Sequence, residues 1–175
     1  MKRILLTFLL SLQAISLLAT HNRAGEITYS WIAGLTYEAV IITYTKESAP
    51  ADRCELVIEW GDNTNSTLYR ENGPAGSCPA PAKMGQTLGG DVRVNIYRGQ
   101  HTYQSPGFYL LAMQDLNRNS GIGNIPNSVN VPFYITTLLN VNPALGANSS
   151  PILLNPPIDD GCENRVFIHN PGAWD

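Results

Sequence analysis

Residues able to do chemistry fall in a few separated places along this chain. Asp115-x-Asn117-x-Asn119-x-Gly121 sets oxygen donors at alternate positions, the spacing of a calcium-binding loop. The match is incomplete. Pro126 stands where such a loop places a bidentate Glu, and the Gly comes one residue late. An Asn-rich turn closed by its own side chains accounts for the run better. His21, His101 and His169 lie in three separate regions, with no Gly-x-Ser-x-Gly or His-Glu-x-x-His motif to go with them. An enzyme is therefore not expected. Asp62, directly after Gly61, is better placed to bond nearby turn amides than to act as a catalytic carboxylate.

The elements that must position these residues are strands. Leu56, Ile58 and Trp60 alternate with Glu55, Val57 and Glu59, and Gly61-Asp62-Asn63-Thr64 then breaks the run. A second strand starts from Pro106-Gly107, with Tyr109, Leu111 and Met113 on one face. Glu26 to Trp31 makes a first strand with Ile27, Tyr29 and Trp31 on one side. Tyr37 to Thr45, rich in β-branched and aromatic residues, makes the next. Thr67 to Arg70 is a short strand, and Asn72 to Gly90 is the longest loop. Val92, Val94 and Ile96 alternate with Arg93 and Asn95. Val129 to Val141 is a long strand or a bent pair, with Pro132 at an edge or bulge. The 15 Gly and 12 Pro punctuate short apolar runs, as in an all-β chain with many turns.

Lys2 and Arg3 precede an apolar run to Leu18, followed by Ala19-Thr20: a secretory signal peptide over 1–20 is expected. The run is too short for a membrane anchor, which needs about 20 apolar residues. An amphipathic first helix is a poor alternative because the run is apolar all round. About 155 residues then remain, enough for one sandwich and a little over. The formal charge of -3, with 11 Lys and Arg scattered along the chain, offers no basic stripe for nucleic acid.

Trp60-Gly61-Asp62, followed some forty residues later by His101-Thr102-Tyr103 and Pro106-Gly107-x-Tyr109, resembles the polycystic-kidney-disease (PKD) repeat. That resemblance implies an all-β, immunoglobulin-like sandwich over 21–142. A linker follows over 143–151. At 152–175 comes the start of a second, cadherin-like β domain, which reads as truncated at Asp175 with most of its core missing. Ile152-Leu153-Leu154 and Arg165-Val166-Phe167-Ile168 would be its opening strands.

The mature chain is also similar to the N-terminal region of the large secreted surface proteins of the Bacteroidota, often labelled gliding-motility-associated. The residues carrying this include 20–27, 117–119, 125–133 and 153–159, and finally 169–175. The likeness implies a non-catalytic module of a multi-domain cell-surface protein, used in adhesion or gliding and exported by type IX secretion. It also implies that the Asp159-Asp160 pair, near Asp175, could add calcium ligands at a domain junction. An accessory binding sandwich of a secreted polymer-degrading enzyme is the alternative. The partner would be a surface glycan or protein.

Within such a sandwich Trp60, Tyr109 and Leu111 are expected in the core, although exposed aromatics would suit ligand binding. Gly107-x-Tyr109 resembles a tyrosine corner, whose hydroxyl bonds back to the main chain. With an export leader, Cys54 and Cys78 are the expected disulfide because both fall in one sandwich, leaving Cys162 odd. Three reduced thiols are the alternative.

Overall fold

A computed structural model describes residues 22–49, 52–116, 118–119, 121–122, 124–157, 164–168, 170 and 172–175. The leader over 1–20, His21, Asn117, Asp159, Asp160, Cys162 and His169 lie outside the described residues.

The alternating stretches form strands in antiparallel pairs. β1 (Asn22–Ala33) turns at Gly34 into β2 (Thr36–Lys46), and β3 (Glu55–Glu59) turns into β4 (Asn65–Tyr69). After the long loop come β5 (Gln86–Gly89), β6 (Val92–Thr102), β7 (Gly107–Asp115) and β8 (Phe133–Val141). One sheet runs β1-β2-β6-β5 and the other β4-β3-β7-β8. The chain is an all-β sandwich.

Each sheet turns one side of its alternation inward. Leu56 and Ile58 of β3 are buried while Glu55, Val57 and Glu59 face water. Ile27, Tyr37, Ala39, Ile41, Leu111 and Leu139 join them in one core. On β1 the inward face runs out toward its end: Ile27 is buried, Tyr29 half-buried, and Trp31 exposed with its indole N–H on Gly34 O. The flanks of the sandwich are closed as well. β1 lies beside β8, and Arg70, just after β4, bridges to Tyr97 of β6.

In β6, Asn95 (0 % exposed), Tyr97 (1 %) and His101 face the opposite sheet; Val92 is buried at the start of the strand, and Val94 and Ile96 are half-buried. Two expectations are corrected. The long loop ends early, because Gln86–Gly89 pairs with β6. Its remaining part is tied down by Lys83 N–H to Arg70 O, Met84 N–H to Pro74 O and Gly85 N–H to Asn72 O, each 2.9 Å. Residues 165–168 form no strand. Val166 and Ile168 are exposed, and Ile152–Leu153 (β9) pairs with Ala173–Trp174 (β10).

Pro132 immediately precedes β8, which is the edge strand of its sheet and follows a short 3-10 turn at Ser128–Asn130. The segment expected as a linker carries a second 3-10 turn at Pro143–Leu145 and then meets β1. Ser150 N–H donates to Tyr29 O (2.9 Å), and Tyr29 N–H donates to Ser150 Oγ (2.8 Å). Among the described residues no helix is long and apolar enough to cross a membrane.

Candidate functional site

The turn after β3 and the end of β6 form one cluster. Trp60 is 1 % exposed. Its indole stacks on the His101 ring, with centroids 4.9 Å apart and planes 12° from parallel. Its N–H donates to Ser66 Oγ at 2.9 Å. Asp62 accepts from Thr64 N–H (3.1 Å) and from the Thr64 hydroxyl through Oδ1, while Oδ2 lies 2.7 Å from His101 Nε2. Tyr103 sits edge-on to His101, and its hydroxyl donates to Trp60 O at 3.1 Å. Tyr103 stacks in turn on Tyr109, whose hydroxyl donates to Ser105 O at 2.8 Å, four residues upstream. Tyr109 is only partly buried; Leu111, two residues on, is fully buried.

An Asp–His contact could orient an imidazole as a general base. Here Trp60 covers one face of that ring and Tyr103 abuts it, so the pair braces the turn against β6. Gly61 permits this closure. Its φ is +82°, and a Cβ there would fall 2.6 Å from the Leu110 backbone N. Gly61→Ala is expected to cost about 1–3 kcal/mol of stability, measured by urea unfolding.

Burial pushes the Asp62 carboxyl up, but the Thr64 hydroxyl, His101 and the Thr64 amide outweigh it and hold the group below the usual Asp range. A depressed carboxyl stabilises the fold above its unfolded pKa, and that stability is lost as pH falls through the folded value. Asp62→Asn should therefore flatten the stability profile below about pH 4 relative to the parent. Urea midpoints at pH 3 and pH 6 check this. Burial, then the Asp62 charge, pushes the Tyr103 phenol up.

At the other end of the sandwich Arg70 is buried, with 0 % exposure, and all five of its N–H donors are used. Nε donates to Lys83 O (2.6 Å). Nη1 donates to Asp52 Oδ1 (2.8 Å) and Asn95 Oδ1 (2.7 Å). Nη2 donates to Asp52 Oδ2 (2.7 Å) and Cys78 Sγ (2.9 Å). Arg93 Nη1 also reaches Asp52 Oδ2 at 3.2 Å. Asn95 passes the network on to Thr45 Oγ1 (3.0 Å), and the Tyr97 hydroxyl donates to Arg53 O at 2.6 Å. Burial pushes the Tyr97 phenol well up.

Cys54 and Cys78 form a disulfide, with Cα atoms 5.6 Å apart. Asp52, Cys54 and Cys78 come close enough together to suggest a metal site. The two sulfurs are joined to each other and the Arg70 guanidinium lies against the carboxylate and Cys78, so these groups do not suit a cation. An open groove of about 610 Å³ begins here, its walls including Cys54, Glu55, Val57, Tyr69, Pro79 and Leu116.

Asp115 opens the run that has the spacing of a calcium loop. Its carboxylate is buried and taken up by Arg53, with Nη2 on Oδ1 at 3.0 Å and Nε on Oδ2 at 3.2 Å, and by Asn22 Nδ2 at 2.7 Å. Asn119 meets Asn22 O through its backbone N–H. Its Oδ1 is buried without a hydrogen-bond partner among the described residues, but one such oxygen does not make a cation site.

The sequence brought Trp60, Asp62, His101 and Tyr109 to notice one by one; the structure joins them. It gave no notice of Asp52, Arg70 or Asn95. One signal was present: His101 must face inward with its motif, and that sets Asn95 and Tyr97 inward by the same alternation. No family model, curated protein or solved structure matches the chain.

Proposed function

We propose that this chain is a PKD-like, immunoglobulin-like module of an exported multi-domain surface protein, non-catalytic and serving adhesion or gliding. The observation that carries the proposal is the contact between its two signature phrases. Trp60-Gly61-Asp62 and His101-Thr102-Tyr103 pack on one another through the Trp60–His101 stack and the Asp62–His101 contact. The residues that could do chemistry there are spent on holding two sheets together. The Cys54–Cys78 bridge fits an oxidising compartment outside the cytoplasm.

A role in contact also fits the outer face of the β4-β3-β7-β8 sheet. Phe108 (71 %), Leu110, Tyr134 and Leu138 stand exposed there, and clustered exposed apolar side chains mark interaction surfaces. Brief protease treatment of intact cells of the native host tests the proposal. Peptides from 22–157 should be released without lysis, and their complete protection until lysis would count against a surface location. An accessory role beside a catalytic domain is the second reading, and the Tyr69-bearing groove favours it as a place for a polymer. A catalytic domain downstream in the full-length gene would select it.

A further inference from the structure

The two sulfurs of the disulfide sit in unlike surroundings. Cys54 is half-buried and forms part of the wall of the open groove, whereas Cys78 is 7 % exposed. Arg70 Nη2 lies 2.9 Å from Cys78 Sγ and 3.9 Å from Cys54 Sγ. Four of the five Arg70 donors meet oxygen acceptors, and the fifth meets this sulfur. A disulfide sulfur accepts weakly, but a thiolate accepts strongly, and a neighbouring guanidinium favours it. The fifth donor thus gains a full partner only when the Cys78 sulfur carries charge. Asp52 opposes that charge from nearby, yet its oxygens are already held by Arg70 and Arg93. Arg93 in turn is shared with Glu47 at 3.5 Å.

We propose that Cys54–Cys78 is a directional thiol-exchange site: a small-molecule thiolate entering by the groove bonds to Cys54 Sγ, and Cys78 leaves as a thiolate against Arg70. The incoming sulfur supplies the electron pair for the new S–S bond, and the electrons of the broken bond go to Cys78. The products are a mixed disulfide on Cys54 and one thiolate, with no external oxidant or reductant required. Arg70 is a positioning residue in this step. Reversal by Cys78 restores the bridge and expels the small thiol. The site would act as a reversible modification point at the base of the long loop, which Cys78 anchors.

The test uses the full mature chain carrying Cys162→Ser, so that only these two sulfurs exchange. Folded protein is incubated with reduced glutathione, quenched in acid and mapped by peptide mass. The adduct on Cys54 should exceed that on Cys78 by about tenfold, and the folded adduct should show the ultraviolet absorption band of a thiolate at neutral pH. In concentrated urea the preference should fall to roughly even and the band should vanish. An even split in the folded state overturns the proposal, as does a preference for Cys78, an adduct that forms only in urea, or a missing thiolate band. Arg70→Lys, examined where its near-ultraviolet dichroism matches the parent, should lose most of the band. A folded Lys variant that keeps it would remove Arg70 from the account, and if that variant does not fold, the parent's band still decides.

Discussion

Replacing Asp52 with Ala should destabilise the fold by about 3–5 kcal/mol, because it leaves a buried guanidinium without its counter-charge. The Arg70 side chain is 0 % exposed, and both Asp52 oxygens take its donors at 2.7 and 2.8 Å. Removing both charges together is a different matter. Asp52→Ala with Arg70→Met leaves an apolar side chain of similar length and no stranded ion. The double variant is expected to be more stable than Asp52→Ala alone, since no buried charge is then left without its partner. Urea unfolding of the two single variants and the double closes the cycle. An Asp52→Ala loss below about 1 kcal/mol would show that water or another group takes over the guanidinium.

The second large effect is expected at Trp60. Trp60→Ala should cost about 3–5 kcal/mol, as large-to-small changes in a packed core do. It removes the stack on His101 and strands the Ser66 hydroxyl at the sheet interface. Trp60→Phe keeps an aromatic face over His101 and loses the indole N–H donor, so it should retain more stability than Ala. Equal losses in the two variants would mean that the stack contributes little beyond the hydrogen bond to Ser66. Denaturant midpoints at neutral pH separate these outcomes.

How much of this was legible depends on the element. In β3, strict alternation and the Gly61 break made strand, face and turn readable, and Trp60 lies where that pattern puts it. Tyr109 was readable from its spacing after Gly107, because a tyrosine corner is a local bond, here to Ser105. The inner face of β6 was not legible because both phases carry apolar residues, and burial falls on Val92 in one phase and on Asn95 and Tyr97 in the other. Arg70 was illegible for a different reason. Its partners Asp52, Lys83 and Asn95 come from separate segments, and only the closed sandwich puts them around one guanidinium. Asp115 had the spacing of a calcium loop, but spacing along the chain cannot show that Arg53, far away in sequence, has taken the carboxylate.

The proposal of an exported module is met most directly by the N-terminus of the protein as the native host makes it. Intact-mass analysis of chain recovered from the cell surface should show a start between Ala19 and Gly25, with Cys54 and Cys78 linked in non-reducing peptide maps. Folded protein recovered from the cytoplasm, starting at Met1 and with both thiols reduced, would contradict it.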